Sequence, residues 1–406
     1  MRRVHHGLKT ALGLIVFLAP GWLLADPLPA NYFETTPNKF PQFAAATEDS
    51  QYRFDFSVLN EVLQAMVVDF GQPDRVGVAR PAARRGSRFT FGHTSKYRLE
   101  ANRIPYSFLD NKATEVLTQL RTNIEAVGNQ VPLDQLSRKS QMAFWMNLHN
   151  VLVIEQLALH YPTTFPEDIR IGPNQLRLHE AKLTKIQGIE LSLQDIRTEI
   201  VYRNWRNPNA IYGFYRGTIG GPNIQTRAYT EANIDRLLKQ NATQFVNSLR
   251  GVAKTNKHIT LSKIYADSKP LFPAWPNDLV AHLSQHSGPI VSATLALSLP
   301  LDARTYDPKI ADFAGGRPVR GAPSPVTEEV LPTRLLTPDR ATTQPGLRPL
   351  GGSVPASANV KVGFVEVLLQ ERNEKERRLR FRELRDQRFK GKGTVVVEEI
   401  EQEDDS

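Results

Sequence analysis

The 406-residue sequence contains no cysteine. That absence removes disulfides, thiolate metal sites, cysteine nucleophiles and the attachment cysteine of a lipoprotein. It also excludes a small disulfide-stapled secreted scaffold. No uninterrupted apolar stretch reaches the roughly 18 residues that cross a bilayer comfortably. The chain has no Gly-x-Ser-x-Gly elbow and no His-Glu-x-x-His helix, and no Gly-Lys-Ser/Thr follows its glycine-rich stretch. What is present is ordinary globular composition, 40% hydrophobic and 23% charged, with a net charge of +9 and 28 prolines. A chain of this length suggests two or three units.

The basic balance favours acidic partners, and the N-terminus argues against nucleic acid among them. Met1-Arg2-Arg3 and Lys9 form a positive region, Ala11 to Ala19 is apolar, and Leu23-Leu24-Ala25 offers a cleavage point before Asp26. This pattern is that of a secretory signal peptide over residues 1–25, with an uncleaved anchor as the alternative. A periplasmic or secreted bacterial location is therefore expected, with no membrane span after cleavage.

Residues 26–53 read as an extended segment rich in Pro, Asn, Thr and Phe, and 54–315 as one globular domain. Within it, helical spacing covers Asp55 to Phe70 and Ala113 to Val127. Arg88 to Leu99 looks strand-like. Ser137 is placed to cap a long helix that stops before Pro162. Leu183 to Leu191 reads as a hairpin turning at Gln187-Gly188, and Ser192-Leu-Gln-Asp195 as a capping box. Thr230 is placed to cap a helix bearing Ile234, Leu237, Leu238 and Phe245. Ile259 to Ser262 reads as a strand, Asn277 to His286 as a helix, and Pro289 to Leu301 as an apolar run able to close a sheet. The order predicts an α+β fold with a small, mostly antiparallel sheet. A Pro-rich linker (316–361), a charged amphipathic helix (362–392) and an acidic tail (393–406) follow.

The most informative block is Phe144-Trp145-Met146-Asn147-Leu148-His149-Asn150, two amides three residues apart on an apolar helix. It resembles the Phe-Trp-x-Asn-x-x-Asn signature of the domain-of-unknown-function 547 family. Gly188 to Ile196, Arg227-Ala228-Tyr229-Thr230, Leu261-Ser262-Lys263-Ile264 and Tyr306-Asp307 resemble further blocks of that family in the same order. The likeness spans roughly Phe54 to Ile310. The family typically carries Asp-Pro-x-x-His-Phe-Ala-Leu-Asn-Cys-Gly-x-x-Ser-Cys-Pro, where this chain reads Asn207 to Pro222. Ile211 stands for the histidine, Arg216 for the first cysteine and Gly221 for the second, while Gly217 and Pro222 are kept. Any thiol chemistry of the family needs the missing Cys and His. The family block also resembles papain- and transglutaminase-like constellations, which implies that kind of fold and, as an alternative function, a periplasmic hydrolase or acyl transferase. Ser262, Thr218 and Tyr215 are the nucleophiles left to such an enzyme.

Asn147 and Asn150 share one helix face and either orient a ligand or pin loop backbone from within the core. Tyr215 to Gly221 is glycine-rich and basic, so Arg216 and Gly217 join the two asparagines as candidate ligand contacts. His149 reads as a structural or surface histidine. His282 and His286 have metal-compatible spacing but no evident third ligand, and read as a solvated face. No catalytic residue, metal site or cofactor is assigned. In the charged helix, Leu379, Arg380, Phe381, Arg382, Leu384 and Arg385 are candidate partner contacts. Together these features predict a non-catalytic exported binding or scaffold module that acts through its core and tethered tail. Its partner would be another envelope protein or an anionic envelope component.

Overall fold

The computed structural model describes residues 27–44, 52–73, 75, 77, 93–109, 111–317 and 397–399. The signal segment 1–25 and the charged helix 362–392, with Leu379 to Arg385, lie outside the described residues, as do most of the linker 316–361 and the start of the strand-like Arg88 to Leu99. Among the described residues no helix is long and apolar enough to cross a membrane.

In chain order the elements begin with α1 (Tyr32–Thr35), β1 (Tyr52–Phe54), α2 (Ser57–Met66), α3 (Asn111–Gln130) and α4 (Arg138–Leu159). Two hairpins follow, β2 (Arg170–Ile171) with β3 (Leu176–Arg177), and β4 (Lys182–Ile186) with β5 (Ile189–Ser192). A π-helical segment (Asp195–Tyr202) runs into α5 (Arg203–Trp205), and a 3₁₀ segment covers Pro208–Gly213. Then come α6 (Ile234–Val246), β6 (Val252–Lys254), β7 (Ile259–Ser262), α7 (Lys263–Asp267), α8 (Asn277–His286), α9 (Pro289–Leu295), β8 (Leu301–Thr305) and β9 (Val397–Glu399).

α4 is the axis of the fold. Every residue from Ser140 to Glu155 is buried, including the polar ones. A helix enclosed on all sides must satisfy its own polar side chains locally. Ser137 starts it, its hydroxyl accepting from the Ser140 amide at 3.2 Å. Trp145 meets Phe43 of the N-terminal segment edge-to-face at 5.0 Å between centroids. Glu155 is neutralised by Arg121 of α3, which donates through Nε to both carboxylate oxygens at 3.0 and 2.8 Å.

The α+β class holds, with a different distribution of strands. In place of one mostly antiparallel sheet there are, among the described residues, four small ones, three two-stranded and one of order β6-β7-β8 in which β7 and β8 run parallel. The apolar run from Pro289 does not enter a sheet at its start. Pro289 occupies the first turn of α9, where its missing N–H costs nothing, and β8 closes the sheet from Leu301 onward. The β4–β5 hairpin turns at Gln187 and Gly188 with φ of 48° and 80°, a left-handed pair suited to a tight hairpin. Ser192 and Asp195 form the expected reciprocal cap, the Ser192 amide donating to the carboxylate and the Asp195 amide to the Ser192 hydroxyl. At α6 it is Asn233, not Thr230, that occupies the cap position; its side chain accepts from the Thr230 amide. β9 pairs antiparallel with β1, Tyr52 opposite Glu399 and Phe54 opposite Val397, so this part of the tail lies against its own core.

Candidate functional site

Both signature asparagines spend their amides on backbone. Asn147 donates to the Tyr229 carbonyl at 2.7 Å and accepts from the Tyr229 amide at 3.0 Å. Asn150 donates to the Gly213 carbonyl at 2.9 Å and accepts from the Tyr215 amide at 2.9 Å. Each carboxamide therefore mimics a peptide unit, completing two bonds to a segment that has no strand partner of its own. Asn150 thereby fixes the block in which Arg216 and Gly217 sit.

That block begins with Asn207, whose side chain accepts from the Asn209 amide and caps the 3₁₀ segment. Ile211 is buried in the core. Gly217 has φ +78°, and a Cβ there would stand 2.5 Å from Leu157 Cδ1. The loop is zipped to the segment after β8: the Ile219 amide donates to Lys309, Gly220 to Asp307, and Ala311 to Gly217. From beneath, buried Arg250 donates to the carbonyls of Ile219 (2.9 Å) and Gly221 (2.8 Å) and to Asn223 Oδ1 (2.5 Å).

Arg216 is held by Asp267 of α7 at 3.0 Å, and the same carboxylate takes Lys263 at 2.5 Å. The partnership with Asp267 outweighs burial and holds the Arg216 guanidinium above its ordinary range; the carboxylate is correspondingly held low by Arg216 and Lys263 against its own burial. Around this pair gather His149 of α4, His179, Arg197 and Tyr202 of the π-helical segment, and Tyr306. His149 Nε2 lies 3.4 Å from Arg197 Nη1 and its Nδ1 lies 3.2 Å from Asn150 Oδ1. A guanidinium only donates, so Nε2 accepts and the proton sits on Nδ1. His149 and His179 stack at 6.4 Å, and burial followed by the charge of Arg197 keeps both well below the ordinary histidine range. Both histidines are thus neutral.

Sequence reasoning missed Arg197. Its only signal is one arginine within Ile196 to Tyr202, a run otherwise rich in apolar residues. It is 8% exposed and has no carboxylate partner among the described residues. Among the described residues the Tyr202 hydroxyl, the Ser268 hydroxyl and His179 Nδ1 are buried without a hydrogen bond of good geometry, Ser268 and Arg216 lying beside the Tyr202 hydroxyl.

The three hydroxyls considered as nucleophiles are occupied elsewhere. Ser262 caps α7, Thr218 bonds the Tyr306 hydroxyl at 2.6 Å, and Tyr215 faces the Tyr106 hydroxyl at 3.5 Å. Burial pushes the Tyr215 phenol up, so it stays protonated at neutral pH. Among the described residues none of the three has a hydrogen bond to a histidine or carboxylate. His282 and His286 do not form a solvated face. Both are buried against the 3₁₀ segment, His282 Nε2 lying 3.0 Å from the Tyr212 hydroxyl and His286 Nε2 2.8 Å from Asn209 Oδ1. Helix α8 turns these rings inward because Leu279 and Leu283 on the same face enter the core. Among the described residues no group of three or more His, Asp or Glu could hold a metal ion.

The fold and site together define a cysteine-free α+β protein built on a buried helix whose asparagines brace a basic, glycine-rich loop. Residues 133–246 match the family model described as "Protein of unknown function, DUF547". The match runs from the turn before α4 to the last residue of α6 and contains Asn147, Asn150, Arg197, Arg216 and Gly217, whereas Asp267 and Tyr306 lie beyond it. Comparison with curated proteins and with solved structures gave no match.

Proposed function

We propose that this protein is a non-catalytic, exported binding module of the cell envelope. The observation that carries the proposal is Arg216. At the position where the family resemblance implies a cysteine, the chain has a guanidinium locked onto Asp267, and Ile211 replaces the implied histidine with a buried aliphatic group. A site able to perform acyl transfer needs a nucleophile with a base in reach. Here Arg216 supplies charge and hydrogen bonds, which serve recognition. The basic N-terminal region followed by an apolar stretch supports export. A papain- or transglutaminase-like fold of the core is part of the same proposal, resting on the likeness of the family's Cys and His block to such constellations.

The tail is the second contact surface. The Arg317 carbonyl accepts a hydrogen bond from Tyr161 at 2.6 Å, and Val397–Glu399 pairs with β1. Its partner would be another envelope protein or an anionic envelope component. The test is co-purification from native envelopes with the full chain and with a version ending at Arg317. A partner recovered only with the full chain supports a tail-borne interface; equal recovery moves binding to the core. Reproducible turnover of an envelope substrate, abolished by Asn150→Ala, would overturn the proposal.

A further inference from the structure

The charges around Arg216 do not balance. Arg197, Arg216 and Lys263 face a single carboxylate, Asp267, which already serves two of them. Arg197 is more than nine-tenths buried, and its one hydrogen-bonding neighbour is a neutral imidazole at 3.4 Å. Leaving a buried guanidinium uncompensated is strongly destabilising. Burial and the neighbouring charge of Arg216 push Arg197 down to about 10, still protonated at neutral pH. The charge therefore persists and calls for an anion.

The surroundings supply the remaining contacts an anion needs. Among the described residues the Tyr202 and Ser268 hydroxyls and His179 Nδ1 are buried without a hydrogen bond of good geometry, the two hydroxyls lying beside each other and beside Arg216. Tyr202 is near both Arg197 and Arg216, whose charges act on its phenol. The Arg216 side chain keeps 11% of its surface exposed and Tyr306 is half-buried, so the cluster is not wholly sealed from solvent. Guanidinium and hydroxyl groups are the donors that a carboxylate or phosphate group takes.

We propose that Arg197 and Arg216, with the Tyr202 hydroxyl, form a binding site for a small oxyanion, the carboxylate or phosphate group of a small-molecule ligand. The site deepens the binding role proposed above and rests on it. Asn150 then acts as a positioning residue: it sets Tyr215, and through it Arg216, while its Oδ1 orients His149 beneath Arg197.

Isothermal titration calorimetry of the full chain with inorganic phosphate and, separately, with acetate tests the site, in an otherwise anion-poor buffer near neutral pH. Saturable binding of at least one anion is expected, weakened roughly tenfold or more by Arg197→Gln, since a lost charge-assisted fork carries that much. Tyr202→Phe, which keeps the ring and removes only the hydroxyl, weakens it by a smaller factor and covers the case in which Arg197→Gln fails to fold. Arg304→Gln, at an exposed pair with Asp302, leaves it unchanged. The preferred anion distinguishes a phosphate-bearing from a carboxylate-bearing ligand. No saturable binding of either anion by the wild-type chain, or full-strength binding by folded Arg197→Gln and Tyr202→Phe, overturns the site. Neither result bears on whether the chain turns over a substrate, so the two proposals fail separately.

Discussion

Asn147 brackets the peptide of Tyr229, donating to its carbonyl at 2.7 Å and accepting from its amide at 3.0 Å, with both residues buried. This is the geometry of a strand pair made by one side chain. It joins the middle of the central helix to the segment that leads into α6, and Asn150 repeats it one turn later on Gly213 and Tyr215.

Removing either carboxamide strands a buried N–H and a buried C=O. Each such orphan costs about 1–3 kcal/mol. Asn147→Ala is expected to lower stability by roughly 3 kcal/mol, read as a shift in urea midpoint at constant slope. Asn147→Asp should cost a comparable amount, because a carboxylate accepts from the Tyr229 amide but repels its carbonyl. A wild-type midpoint for both variants would show that the bracket contributes little.

Gly217 tests the loop independently of charge. With φ +78° and Leu157 Cδ1 at 2.5 Å from a would-be Cβ, alanine meets both backbone strain and a buried side chain. Gly217→Ala should destabilise by about 1–3 kcal/mol. Truncating the obstacle relieves part of this, so Gly217→Ala combined with Leu157→Ala should show positive coupling in a double-mutant cycle. Strict additivity of the two substitutions would contradict the contact.

Acid should weaken the fold through its buried histidines. His93 is bonded at both nitrogens, to the Ile310 carbonyl (2.9 Å) and by the Ser95 amide (3.0 Å), and burial followed by Arg103 pushes it down to about 3. His282 is also pushed down to about 3, by burial and then by His286. In the unfolded chain both titrate near 6.5. Between these values the unfolded state binds more protons, so stability is complete above about pH 6.5 and falls as the pH drops toward 3. The slope is at most about 1.4 kcal/mol per pH unit for each histidine. Urea midpoints measured at several pH values should decline over this window, and His282→Gln should make the decline shallower. A flat profile from neutral pH to about pH 4 would mean that these rings are protonated in the fold.

How much could be read from the residues alone depended on the range of the interaction that decides each feature. The Ser137 cap, the Gln187-Gly188 turn and the Ser192–Asp195 box are set by neighbours within a few positions, and all stand in the structure as expected. Pro289 to Leu301 was ambiguous because an apolar run fits a helix or a strand equally well, and the fixed φ of Pro289 tips its start into α9. His282 and His286 look like a polar face by spacing; only the packing of α8 over the 3₁₀ segment turns them inward. Arg197 was invisible for the same reason, since nothing local in Ile196 to Tyr202 reveals that His149, Arg216 and Asp267 arrive from three distant stretches. Arg216 was legible because the family block drew attention to it, yet its partner Asp267, 51 positions away, was not.

Arg250 is the last element to test, because it carries the loop that presents Arg216. Its guanidinium is buried and spans the carbonyls of Ile219 and Gly221 and the side chain of Asn223. Burial lowers it to about 10, with the charge of Glu100 opposing the shift, so it remains a cation at neutral pH. Arg250→Met keeps much of the aliphatic volume but leaves two loop carbonyls without donors, for an expected loss of roughly 2–5 kcal/mol. Arg250→Lys keeps the charge and can reach one carbonyl, not the fork of three acceptors, and should fall between the two. Hydrogen exchange separates a local from a general effect. Amides of Ile219, Gly220 and Ala311, which zip the loop to the segment after β8, should lose protection in Arg250→Lys before those of α4 do. Uniform loss across both regions would mean that Arg250 supports the whole core and does not specifically hold the loop.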